Sequence, residues 1–185
     1  MNSSLSFAER IRRVHASLAE ASIPHAFGGA IAVNWCTPQV RVTNDIDINI
    51  FVGPDDAESA LVGLPAGTEI TEAARQRLSR DGQARFWWET VPIDIFLNTT
   101  EFHVAAANRV QTREFEGVML PCLACEDIAV FKAFFDRGKD WIDIEAMTSI
   151  GSFDIDTAKA EIERLLGPDD PRIAKLDALR YLDAG

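Results

Sequence analysis

Residues 45–50 read Asp-Ile-Asp-Ile-Asn-Ile, a strict alternation of carboxylate or amide with isoleucine. Successive side chains on a strand point to opposite faces. Ile46, Ile48 and Ile50 therefore share one face, and Asp45, Asp47 and Asn49 share the other. Burying the isoleucines fixes the register, because a slip of one residue would bury the aspartates instead. Aspartate is depleted in strands. Two carboxylates roughly 6–7 Å apart at Cα along one strand face disfavour each other's ionisation. The segment "VPIDIFL", 91–97, repeats the device: Ile93, Ile95 and Leu97 take one face and Asp94 the other. If the two strands are neighbours, three carboxylates converge on one sheet face.

A divalent cation reverses the sign of that repulsion. Carboxylate oxygens suit Mg²⁺ or Mn²⁺, and a pair of such ions can clamp the attacking and leaving oxygens of a phosphoryl displacement. No basic partner for the three aspartates is evident along the chain. A solvated antiparallel face would accommodate a lone D-x-D. Asp94 and an upstream glycine pair set this sequence apart. In "FGGAIAVNW", Gly28 and Gly29 stand between a strand and a helix, where the backbone can approach a phosphate and a helix N-terminus favours anions.

The remaining pattern places these residues in a mixed architecture. Leu5, Ile11, Val14 and Leu18 lie near one helical face over residues 5–22. Helices are expected in "GPDDAESALVGL", over 69–80 and in "TTEFHVAAANRV". "GQARFWWETVPIDIFLN" reads as two strands with little between them, and "QTREFEGVMLPCL" as a strand or hairpin. From Ala124 onward the chain reads as helices. Strands first and helices last argue an α+β fold, a mixed β-sheet flanked by helices with a C-terminal helical extension. The expected division is 1–122 for the α/β core with its N-terminal helix and 123–185 for helices packed on it as one structural unit.

This constellation resembles the nucleotidyltransferase superfamily with the polymerase-beta-like fold. That superfamily shows a Gly-Gly or Gly-Ser turn opening a helix, a D-x-D strand and a third strand aspartate, matched by Gly28, Gly29, Asp45, Asp47 and Asp94. Gly29 stands where many members have serine. The chain is most similar to small bacterial nucleotidyltransferases of the abortive-infection toxin type. They show R-x-T/S-x-D-x-D, here Arg41, Thr43, Asp45 and Asp47, and a later helix matched by Lys132, Arg137, Lys139, Asp140 and Asp143. The resemblance covers roughly residues 24–147.

The resemblance implies transfer of a nucleoside monophosphate from a triphosphate to an acceptor hydroxyl by a two-metal mechanism. In that reading Asp45, Asp47 and Asp94 are the catalytic and metal-binding set for Mg²⁺ (or Mn²⁺). Gly28, Gly29, Arg41, Thr43 and Lys132 bind the nucleotide, ATP or another triphosphate. The acceptor is a small molecule, a protein or an RNA end, and an antitoxin-like protein is a partner to look for. The alternative is a non-catalytic nucleotide- or protein-binding domain that kept the fold. Competing structural duties are Arg41 pairing with a carboxylate to hold its loop, and Lys132 snorkelling from the apolar "DIAVFKAFF". Arg137, Lys139, Asp140 and Asp143 read as a salt-bridged helix junction.

Charge narrows the partners. Lys plus Arg number 18 against 29 Asp plus Glu, a formal charge of −11. The densest basic stretch, Lys132 to Lys139, is interleaved with Asp136 and Asp140. Long duplex nucleic acid, which is held by neutralising many phosphates, is not an expected partner. No apolar run approaches the roughly 18 residues that span a membrane, and the N-terminal segment reads as an amphipathic helix rather than a signal peptide; a cytoplasmic location is expected. Three cysteines are too few for a disulfide framework, and the Cys122-x-x-Cys125 pair reads as buried thiols at a helix start. Trp87 or Trp88 could stack on a base, and His25, beside the glycine turn, could touch a ligand.

Overall fold

The computed structural model describes residues 5–180. Its strands are β1 (His25–Phe27), β2 (Ile46–Ile50), β3 (Thr68–Glu69), β4 (Gln83–Trp88), β5 (Val91–Leu97), β6 (Gln111–Phe115) and β7 (Val118–Cys122). They form one sheet in the order β3-β4-β5-β2-β1-β7-β6. The sheet is mixed: β2 pairs with β5, and β1 with β7, in parallel, while every other neighbour is antiparallel. The helices are α1 (Phe7–Glu20), α2 (Gly29–Val33), α3 (Ala57–Val62), α4 (Glu72–Asp81), α5 (Glu101–Ala107), α6 (Cys125–Phe135), α7 (Gly138–Thr148), α8 (Ile155–Leu166) and α9 (Pro171–Leu179). The expected α+β class and the late run of helices are what the chain adopts. Among the described residues no helix is long and apolar enough to cross a membrane.

The described residues group into two compact units. One holds 5–29 with Val42–Leu123 and carries every strand; the other holds Ala30–Arg41 with 124–180. In the first unit the alternation does its expected work. Ile46, Ile48, Ile50, Ile93, Ile95 and Leu97 are buried, each side chain contributing about 1.5–3 kcal/mol of hydrophobic stabilisation. α1 opens on a capping box: the Ser6 hydroxyl accepts from the Glu9 N–H and the Ser6 N–H donates to the Glu9 carboxylate. Its inner face buries Ile11, Val14 and Leu18.

The cysteines are arranged otherwise than the sequence suggested. Cys125, the first residue of α6, is disulfide-bonded to Cys36, with 5.5 Å between the Cα atoms. The chain between them runs through every strand but β1, so nothing local in the sequence marks the pair. Cys122 remains a buried thiol, and burial pushes its pKa up to about 12, which keeps it protonated and unreactive at neutral pH.

His25 is buried on β1. Its Nδ1 lies 2.7 Å from the Ile23 carbonyl, and its Nε2 lies 3.0 Å from Nδ1 of His15 on α1. The Ile23 carbonyl can only accept, so His25 Nδ1–H donates to it, and in the neutral ring that burial favours Nε2 then accepts from His15. His25 is thus a packed, neutral imidazole. Burial lowers both histidine pKa values below the usual 6.5. A depressed folded-state pKa means stability is complete above pH 6.5 and lost as pH falls through the folded value. The melting temperature should therefore drop between pH 7 and pH 5, and by less in His15→Gln, where the second imidazolium cannot form; equal drops in both proteins would remove the pair as the cause.

Candidate functional site

The two aspartate-bearing strands are direct neighbours. β2 and β5 run parallel with Asp47 opposite Asp94, and the flanking isoleucines pair likewise, Ile46 with Ile93 and Ile48 with Ile95. Asp45, just before β2, lies on the same face as Asp47 by alternation. Thr43 sets its backbone: the Thr43 hydroxyl accepts from the Asp45 N–H at 3.1 Å and lies 3.2 Å from the Asp45 carbonyl, to which it donates.

The glycine turn meets these strands closely. The Gly28 N–H donates to the Asp47 carbonyl at 2.9 Å. A Cβ on Gly28 would come within 3.0 Å of the Asn49 side-chain nitrogen, and Asn49 is itself buried. Gly29 has φ +51°, and a Cβ there would fall inside the Asp47 carboxylate. The turn and the D-x-D strand are therefore one piece of structure. Gly29→Ala should cost about 1–3 kcal/mol through the left-handed backbone and push Asp47 out of place. Thermal unfolding checks it; an unchanged melting temperature would contradict the contact.

A basic partner does exist. Arg85, on β4, stands opposite Asp94 in the antiparallel β4–β5 ladder. Its guanidinium donates to both Asp94 oxygens, at 2.8 and 2.6 Å, and to Asp45 Oδ2 at 2.9 Å. These ion pairs, the Asp94 bond foremost, raise the Arg85 pKa further above its ordinary value. The signal was in the sequence: a two-residue connection, Glu89-Thr90, closes the hairpin at Trp88 and Val91, which puts position 85 across from 94.

The donor set itself, three aspartates with two in register on adjacent strands, fits a hard divalent cation. As placed, no three His, Cys, Asp or Glu among the described residues form a metal-ligand arrangement, and the Arg85 guanidinium stands between Asp45 and Asp94.

Arg41 and Lys132 belong to the second unit and share a partner there. Arg41 Nε lies 3.0 Å from Asp143 Oδ1, and Lys132 Nζ 2.6 Å from Asp143 Oδ2. Lys132 also lies 3.3 Å from Asp140, which Arg137 engages at 2.5 Å. Lys132, Asp140 and Asp143 are all buried. Lys132 thus turns to buried carboxylates rather than snorkelling to water. The Arg41 backbone is held by Asn34, whose amide oxygen accepts from the Arg41 N–H at 2.6 Å. Of the tryptophans, Trp88 packs inward beneath Arg10, 5.4 Å from the guanidinium carbon, while Trp87 stays exposed on the face that carries Arg85.

No protein-family model matches the sequence, and no curated protein matches it. Solved structures match it in three dimensions. A nucleotidyltransferase-like antigenic protein from Paracoccidioides brasiliensis superposes with a TM-score of 0.54 at 16% identity, over 96% of this chain and 95% of that one. The antibiotic-resistance factor ANT(2'')-Ia superposes with 0.54 at 18% identity, over 96% and 92%. Its crystal structure with adenylyl-2''-tobramycin gives 0.53 at 16%, over 96% of each chain. The fold of this chain is the nucleotidyltransferase-like fold.

Proposed function

We propose that the chain is a metal-dependent nucleotidyltransferase that moves a nucleoside monophosphate from a nucleoside triphosphate to an acceptor hydroxyl. The observation that carries this reading is the register of β2 on β5, which sets Asp47 against Asp94 at the glycine turn. Fold alone would not license it. When bound, Mg²⁺ (or Mn²⁺) would neutralise charge on the triphosphate and the leaving pyrophosphate. Asp45, Asp47 and Asp94 would hold it. Asp94 would also accept the proton of the acceptor hydroxyl. Gly28 and Gly29 would let the phosphates approach the backbone, and Thr43 would keep Asp45 oriented. Arg41 and Lys132 enter as phosphate-neutralising groups on the strength of the sequence resemblance; in the structure their charges rest on Asp143.

The fold neighbour ANT(2'')-Ia, seen in complex with adenylyl-2''-tobramycin, makes a small hydroxyl-bearing molecule the first acceptor class to try. A protein side chain, an RNA end and an antitoxin-like partner follow from the resemblance to the toxin-type enzymes. The −11 charge speaks against long duplex nucleic acid as a partner, and a cytoplasmic site of action is part of the same proposal. The experiment is incubation with each α-labelled triphosphate and Mg²⁺, followed by separation of label on small molecules, protein, RNA and DNA. Label in one fraction names the acceptor. Label in none, with metal bound, favours the non-catalytic binding domain.

A further inference from the structure

We infer that Arg85 is the resident counter-cation of the carboxylate site and that a divalent metal enters by displacing it, so that metal arriving with a polyphosphate is preferred over free metal. The inference rests on the metal-binding reading of Asp45, Asp47 and Asp94. Arg85 occupies both oxygens of Asp94 and one of Asp45, three of the four oxygens those residues offer a metal. A guanidinium and a divalent ion cannot share them, since like charges at contact distance repel. Arginine cannot leave by losing its proton, so it must move. It has room to do so: its side chain is 46% exposed, on the open face of β4.

The destination decides the thermodynamics. When free metal binds, the guanidinium gives up two carboxylates and gains only water. When the metal carries a polyphosphate, the displaced guanidinium finds phosphate oxygens, whose geometry its planar fork matches in a bidentate way. Metal and polyphosphate are then positively coupled through Arg85, and the coupling is reciprocal. The cross-strand register with Asp94 returns the side chain to the carboxylates once both have left.

The test titrates Mn²⁺ into the whole protein by calorimetry, once as the free ion and once as a preformed complex with inorganic tripolyphosphate, a probe independent of the base. Wild type, Arg85→Gln, Arg85→Lys and the Asp45→Asn, Asp47→Asn double variant are compared, with circular dichroism confirming that each is folded. Free Mn²⁺ should bind Arg85→Gln about tenfold tighter than wild type, the size expected for losing charge-assisted hydrogen bonds on a half-exposed group. The preference for the complex over free Mn²⁺ should shrink by a similar factor. Arg85→Lys, which keeps the charge without the fork, should fall between. Equal free-ion affinity in wild type and both Arg85 variants overturns the role of Arg85 while leaving the metal site standing. Binding that survives unchanged in the double aspartate variant, or no binding to any of the proteins, overturns the metal site and this inference together.

Discussion

Replacing Lys132 with methionine should cost about 3 kcal/mol of folding stability. The ammonium is held by Asp143 at 2.6 Å and Asp140 at 3.3 Å, and all three residues are buried. Methionine fills the volume of the stem but supplies no donor. Arg137 keeps both oxygens of Asp140 engaged, and Arg41 keeps Asp143 Oδ1. Asp143 Oδ2 is left a desolvated charged oxygen without its donor, and the loss comes from that oxygen. For a chain of this size the melting temperature should fall by roughly 6–12 °C. Adding Asp143→Asn should recover part of it, because the stranded charge is then gone, a non-additivity expected of residues in one network. Thermal unfolding of the two single variants and the double variant measures this. A loss below about 0.5 kcal/mol in Lys132→Met would show the cluster to be open to water. Triphosphate affinity, measured on the folded protein, is the separate readout for a phosphate contact by Lys132.

The opposite profile is expected at the candidate site. The double variant Asp45→Asn, Asp47→Asn should lose at least about 10³-fold in turnover while its stability moves by less than about 1 kcal/mol. Both substitutions keep shape and remove charge. Asp45 is 41% exposed and engages Arg85 through one oxygen only, while Arg85 keeps its bidentate hold on Asp94. The buried isoleucine face is untouched, so the fold should stand. Chemistry should not, since the charges that would hold metal and triphosphate are gone. Initial rates and melting curves, taken together, check this. A variant that melts far below wild type would mean that the aspartates serve the fold, and a variant with full turnover would mean that the reaction lies elsewhere.

How much of this was legible in the sequence depended on whether the contact was local or had a period. The isoleucine–aspartate alternation gave strands, faces and the placement of the three carboxylates, because a two-residue period admits one arrangement when one face is buried. The glycine turn was legible too, though not that the Asp47 carboxylate covers Gly29; that depends on how β2 lies beside the turn. Arg85 stands alone among uncharged neighbours, so no basic run marks it as a partner of the aspartates, although the tight hairpin sets it opposite Asp94. The Cys36–Cys125 bond and the Arg41–Asp143 ion pair join segments far apart in the chain, while Lys132 meets Asp143 across the connection from α6 to α7. No period or turn encodes such pairings. Lys132 shows the consequence: on an apolar helix its position alone suggested snorkelling, and only the folded neighbour explains a buried ammonium.

The proposed reaction is transfer of a nucleotidyl group on this face of β2 and β5 with the help of a divalent metal. The most direct measurement is pyrophosphate release by the unmodified protein from each of the four nucleoside triphosphates, over a panel of acceptors that begins with small polyhydroxylated amines. It is run with Mg²⁺ and again with the metal chelated. Release is expected from at least one triphosphate, dependent on both metal and acceptor and matching, mole for mole, the label joined to the acceptor. Release of the same rate in chelator, or cleavage of the triphosphate that never labels an acceptor, would contradict it.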